Sequence, residues 1–144
     1  RVYVSPLEAS DVRRAVMELS RVAGSLTGVK ESIIAARVLE REAIMHTGIG
    51  NGIAVPHARM AEISRPWVIV GKSPSGIDFD AFDGKPAHLI FLILTPMDDQ
   101  EAQIQILAQI ARIFSSPAAK ELAMNAKNFI EFMSAVKSSG APGS

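Results

Sequence analysis

The sequence predicts a single-domain α/β sandwich, a mixed β-sheet flanked by helices. Three observations point there. Residues 88–95 (HLIFLILT) are apolar almost throughout, the pattern of a central strand buried on both faces. Segments with helical apolar spacing occur on either side of it in the chain, so helices are available to cover it. No internal repeat, heptad run or linker divides the 144 residues, a length that suits one domain with a sizeable core.

In chain order, residues 2–4 are expected as a short first strand. Ser10 or Asp11 can cap a helix reaching about Ala23, with Gly24 as its stop. Val12, Ala15, Val16, Leu19 and Val22 give that helix one buried face. A second helix is expected from near Gly28 to Arg41 or Glu42, with Ile34, Val38 and Leu39 among its apolar positions. A loop with Gly48, Gly50 and Gly52 at alternate positions follows, then a short extended piece at 53–55 and the pair Pro56-His57. Residues 67–72 (WVIVGK) read as a buried strand. Residues 76–84 (GIDFDAFDG) alternate Ile77, Phe79 and Ala81 with aspartates, and Asp83-Gly84 is a turn signal. The helix expected at 99–114 is apolar around much of its circumference and should be largely buried. Ser116-Pro117 supplies a cap and a first-position proline for the next helix, and Phe129, Phe132, Met133 and Val136 mark a last amphipathic one. The domain is expected to occupy residues 1–137, with a disordered tail at 138–144.

Composition narrows the function. Fifteen basic and fifteen acidic residues balance, so there is no electrostatic grip on nucleic acid. The longest apolar run, 89–94, is far short of the ~20 residues a membrane span needs, so no direct membrane insertion is expected. Without cysteine there is no disulfide framework and no thiolate chemistry. No signal-peptide pattern is visible. The expected location is cytoplasmic, free-standing or as a domain of a membrane-associated protein. The chain opens on Arg1, as a processed product or a piece cut from a longer protein would.

The chemistry gathers in residues 41–59, REAIMHTGIGNGIAVPHAR. Glycines allow close backbone approach, and Pro56 restricts both itself and Val55, so His57 is presented stiffly. A neutral imidazole is a nucleophile near physiological pH, since its ordinary pKa is ~6.5. A hydrogen bond to one ring nitrogen would fix the tautomer and leave the other nitrogen free to attack. Those are the requirements of a phosphoryl-accepting histidine; the bland alternative is a structural or merely exposed one.

The glycine spacing is GxGxG, not the dinucleotide pattern GxGxxG, and Pro56 arrives too soon for a long helix to open from it. The loop is either a tight turn or a set of backbone N–H groups aimed at an anion. Arg41 is a phosphate partner through its guanidinium fork, a cation ending a helix, or the mate of Glu42. His46, Thr47 and Asn51 bring further polar groups. His46 and His57 lack a third ligand at suitable spacing, so no metal is expected. His88 reads as a surface or strand-edge residue. Asp98 and Asp99 suffice as helix caps, while Gln103 lies in the first turns, where the helix's positive end could face a phosphate. No G-x-S-x-G elbow and no P-loop is present, against serine hydrolysis and ATP hydrolysis.

The runs RE…TGIGNGIAVPHAR, GIDFDAFDGKP, LIFLILTP and QIQILAQIARIF together resemble the phosphotransferase-system enzyme IIA domains of the fructose/mannitol/nitrogen-regulatory type (type 2), from about residue 8 to 136. The segment TGIGNG-x-A-x-PH is the specific part. The resemblance implies the mannitol-type phosphotransferase fold and no cofactor. It implies that His57 accepts a phosphoryl group from the phosphohistidine of HPr, or a nitrogen-branch equivalent, and passes it to an enzyme IIB domain or uses it for regulation. Arg41 would lie beside His57, and His46, Thr47, Gly48, Gly50 and Asn51 would form the surrounding loop. One position departs from the pattern. The family usually has a second active-site histidine in A-H-L-x-x-L-A after the central strand; here the stretch is Ala102-Gln103-Ile104-Gln105-Ile106-Leu107-Ala108. The Gln103 amide can donate a hydrogen bond but cannot carry charge. His46, where small hydroxyl residues are common in the family, is a candidate to return an imidazole to the site.

Three readings compete. The first is a phosphocarrier acting through phospho-His57 without ATP or metal, favoured by Arg41, the glycines and Pro56-His57. The second is a regulatory or interaction module of the same fold with weak or no transfer, favoured by Gln103. The third is a small-ligand domain that uses the glycine loop for an anion.

Overall fold

The computed structural model describes residues 2–138. The elements are β1 (Val2–Pro6), α1 (Val12–Thr27), α2 (Glu31–Ile44), β2 (Gly48–Gly50), β3 (Ile53–Ala54), β4 (His57–Met60), β5 (Trp67–Ile77), β6 (Ala87–Pro96), α3 (Gln100–Ile113), α4 (Pro117–Asn125) and α5 (Phe129–Ser138). Their sheet is mixed, in the order β1-β5-β6-β3-β2, with β4 also on β6. The central place of β6 follows from its side chains. Ile90, Leu92 and Leu94 enter one core with α1 and α2, while Leu89, Phe91 and Ile93 enter the other with α3, α4 and α5. A strand that alternates between two apolar layers has no face for water, which is why the run contains no polar alternation.

The free edge of β6 positions the site. β3 pairs parallel to it at Leu89 and Ile90, and β4 pairs parallel from Ile93 to Pro96. Residues 53–60 thus run along β6 in one register, interrupted only at Val55-Pro56. The extended piece expected at 53–55 does not stop there. His57 is instead the first residue of a strand, opposite Ile93, whose N–H donates to Pro56 O at 3.0 Å. Proline removes one ladder donor here without ending the pairing.

Other expectations need correction. Gly24 does not stop α1; the helix runs to Thr27 and closes at Gly28, φ 80°. Gly24 serves close approach, since a Cβ there would meet Val29 O at 3.0 Å. The second helix starts at Glu31, not near Gly28, and runs on to Ile44, which leaves Arg41 in its last turn. The helix expected to be largely buried, α3, buries only Ile110 fully. Ile104 is 50% exposed, and Ala108 and Ala111 are exposed. One stripe of α3 meets the sheet; the rest of its apolar surface faces outward. Residues 78–86 are a connection, not a strand, despite their alternation. Phe79 plugs the core, Asp80 has φ 56°, and Gly84 N–H bonds Ala81 O at 3.0 Å to close the expected turn. Of the tail expected at 138–144, Ser138 ends α5 and the remainder lies outside the described residues. Among the described residues no helix is long and apolar enough to cross a membrane.

Candidate functional site

The glycine-rich segment is a β-hairpin, with β2 antiparallel to β3. Asn51 and Gly52 both have positive φ, 58° and 78°, as the two central residues of a type I′ turn require. The dipeptide Asn-Gly between Ile49 and Ile53 is a sequence signal for such a turn that the GxGxG pattern masked. The turn is held from both sides: Asn51 N–H donates to Asp83 Oδ2 at 3.0 Å, and Lys120 Nζ donates to Asn51 O at 2.6 Å. Bonds from the Lys85 and Asn51 N–H groups hold the Asp83 carboxyl below its ordinary range. Gly48 has a packing role, because a Cβ there would lie 3.0–3.1 Å from Phe79 and Ala81.

His57 is 5% exposed. Its Nδ1–H donates to Val55 O at 2.7 Å, which leaves the lone pair on Nε2. Nε2 is buried and has no hydrogen-bond partner among the described residues. Burial, aided by the cations of Arg41 and Arg59, pulls the His57 pKa below its ordinary value, against the Val55 bond and the Glu42 charge. The imidazole is therefore neutral at physiological pH. The ring is buried, and two clefts border it.

The first cleft, of about 330 Å³, has His46, Thr47, Gly50 and Asn51 at its polar side and Ile110 and Phe114 from the helical layer. The second, of about 530 Å³, has Arg37, Arg59, Met97 and Gln103 on its walls. His57 and Arg41 line both. Arg41 Nη1 is also buried without a partner among the described residues, and Glu42 does not pair with it. Glu42 turns instead to Thr47, whose N–H and Oγ1–H it accepts at 2.8 and 2.5 Å. Arg59 joins the second cleft without being a candidate in the sequence. Its signal was the β-strand period, which sets residues 57 and 59 on one side of β4.

His46 and Gln103 border different clefts, His46 the first and Gln103 the second. His46 Nδ1 is 3.8 Å from Glu42 Oε2, and its Nε2 is 3.2 Å from Asp80 Oδ2. Gln103 stands in the first turn of α3, behind the cap in which Asp99 Oδ1 accepts Ala102 N–H at 3.1 Å. His88 is a half-buried residue of β6, its Nδ1–H donating to Ser73 O at 2.9 Å, outside both clefts. No group of three or more His, Asp or Glu side chains among the described residues is placed to hold a metal ion.

Comparison with known proteins adds four findings. The model of the family described as "Phosphoenolpyruvate-dependent sugar phosphotransferase system, EIIA 2" matches residues 2–139. The chain is 42% identical over 91 residues to the PTS system fructose-specific EIIA component of Haloferax volcanii, covering 63% of this chain and 59% of that protein, less than two thirds of its length. Among solved structures, the nitrogen regulatory protein IIA-Ntr of Neisseria meningitidis superposes with a TM-score of 0.85 at 25% identity, over 94% of this chain and 92% of that one. The mannitol enzyme IIA of Escherichia coli, solved in complex with phosphorylated enzyme IIB, has the same fold: TM-score 0.77 at 17% identity, over 95% and 94% of the two chains.

Proposed function

This chain belongs to the EIIA 2 family of the phosphoenolpyruvate-dependent sugar phosphotransferase system, and from that premise we propose that it is a phosphocarrier whose acceptor is His57. The observation that carries the reading is the ring itself: Nδ1 is committed to Val55 O, and the Nε2 lone pair has no partner among the described residues, on a ring that lines the same two clefts as Arg41. In the proposed step, Nε2 attacks the phosphorus of a donor phosphohistidine. The donor's N–P bond breaks, its electron pair returns to the donor imidazole, and a new N–P bond forms on His57. Arg41 donates to the phosphoryl oxygens, where charge-assisted bonds are strong. The Gln103 amide adds a neutral donor from the second cleft.

The donor is an HPr-type carrier or its nitrogen-branch equivalent, and the acceptor is an enzyme IIB domain or a regulated protein. Macromolecular partners suit the surface around the clefts. Ile44 is 77% exposed, and Met45 and Met97 are exposed as well, an apolar rim with little other reason to face water. The route sets the domain in the cytoplasm, free or fused to a membrane-associated protein. The test is incubation with phosphoenolpyruvate, enzyme I and HPr, followed by intact mass at alkaline pH. One phosphoryl group should be gained, dependent on HPr and lost in His57→Ala. A folded native protein that gains none with either branch's carrier would refute the reading.

A second reading is favoured by Gln103: a regulatory module of the same family that transfers weakly or not at all. A second histidine could protonate as charge develops in the transition state, which an amide cannot do. Slow transfer onward from a phosphorylated His57 would separate this reading from the first.

A further inference from the structure

Glu42 is 5% exposed, an unusual place for a carboxylate unless hydrogen bonds hold it there. Both its oxygens are used by one residue: Thr47 N–H reaches Oε2 at 2.8 Å and Thr47 Oγ1–H reaches Oε1 at 2.5 Å. The carbonyl of Thr47 accepts Val55 N–H at 3.0 Å, and the carbonyl of Val55 accepts His57 Nδ1–H at 2.7 Å. Four residues from α2, the hairpin and β4 thus form one continuous chain of hydrogen bonds.

The links fall at the interruption between β3 and β4, one residue before the bond from Ile93 N–H to Pro56 O. Thr47 precedes β2, and Val55 lies between β3, which ends at Ala54, and β4, which begins at His57. Residue 56 is proline, with no N–H to anchor the peptide that carries Val55 O. The direction of that carbonyl therefore depends on Val55 N–H being held by Thr47. The direction of Thr47 O depends in turn on the double grip of Glu42.

We infer that Glu42 is a positioning residue for His57, acting through Thr47 and Val55 to keep the proton on Nδ1 and the lone pair on Nε2. The consequence for transfer rests on the phosphocarrier reading; the consequence for the tautomer does not. Which ring nitrogen carries the proton is decided by the bond the ring makes, so a displaced Val55 carbonyl would let Nε2 share the proton. A share of the protein would then present the wrong nitrogen to the donor. A simple loop clamp would affect stability but not the tautomer.

The experiment uses unphosphorylated protein with 15N-labelled histidine, at a pH where His57 is neutral, and reads its two ring-nitrogen shifts by NMR. Native protein should show the Nδ1–H tautomer. Glu42→Gln and Thr47→Val should both move His57 toward a tautomer mixture, and Thr47→Ser, which keeps the hydroxyl, should not. Thr47→Val preserves shape and the backbone N–H bond, so it answers the question even where Glu42→Gln fails to fold. In single-turnover transfer from phospho-HPr, the two variants should lose about tenfold in rate, the equivalent of one net hydrogen bond. Unchanged ring shifts in a folded Thr47→Val protein, with only a lower melting temperature, would overturn the inference. A tautomer shift in a protein that accepts no phosphoryl group would uphold the chain and count against the phosphocarrier reading instead.

Discussion

Arg41→Met separates a phosphate-binding arginine from a helix-ending one. The variant keeps most of the aliphatic stem, so the packing of the side chain is largely preserved. It removes a guanidinium whose Nη1 is buried without a partner among the described residues. An unsatisfied buried polar atom costs about 1–3 kcal/mol, so its removal should leave stability unchanged or raise it. If Arg41 served only as the cation in the last turn of α2, its loss should lower stability by about 0.3–1 kcal/mol. The effect on transfer runs the other way. A hydrogen bond to a charged group contributes about 1.5–3 kcal/mol, which at 1.4 kcal/mol per decade is a rate loss of about 10- to 150-fold. The assay is single-turnover transfer from phospho-HPr at about pH 8, well above the ordinary histidine pKa, so that His57 is neutral in both proteins. Thermal unfolding of the same samples supplies the second axis. A third readout follows from the Arg41 charge, which lowers the His57 pKa; in the variant the midpoint should rise toward 6.5. Unchanged rate together with reduced stability would refute the reasoning and leave Arg41 as a helix cap.

Gln103→His should speed transfer to or from the partner with little change in stability, because the position is half-buried in the first turn of α3. His46→Ala should leave that gain intact, since His46 borders the other cleft; if instead it cancels the gain, the two positions are coupled across His57. Phosphoryl acceptance should fall as pH drops through the His57 midpoint, which lies below 6.5. The sign for stability is the same. With the folded pKa below the unfolded one, the full contribution is present above 6.5 and is lost as pH falls through the folded midpoint, a trend that acid titrations of native and His57→Ala protein would compare. Gly48→Ala should cost about 1–3 kcal/mol in urea unfolding, because the new Cβ meets Phe79 and Ala81 atoms 3.0–3.1 Å away that cannot swing aside. A wild-type urea midpoint would show that the 78–86 connection yields more easily than its contacts imply.

The helical faces of α1 and α5 and the two-sided burial of β6 were legible in the chain, because they depend on residue spacing and local propensity. So was the convergence of Arg41, the hairpin and His57 on one short stretch, since all lie within twenty residues or so. The same local signals misled where the deciding partner lay elsewhere. Gly24 looks like a helix stop until the approach of Val29 explains it. The alternation in residues 76–84 looks like a strand, yet those residues find no neighbour to pair with beyond Ile77.

What the sequence determined by itself is therefore the inventory: the helices and the central strand, the family pattern, and a histidine with an arginine and a glycine turn close by. Which apolar residues of α3 are covered was decided only in the tertiary structure, because a helix apolar around most of its surface does not say which stripe meets a sheet. The same holds for β4, whose pairing depends on the edge of β6, more than thirty residues away in the chain. It holds most of all for the His57 ring. Its tautomer depends on the aim of carbonyls at Thr47 and Val55, and its two bordering clefts on how α2, the hairpin, β4 and α3 come together. Every residue type carries a carbonyl, so its direction is invisible in a sequence and exists only once the backbone is folded.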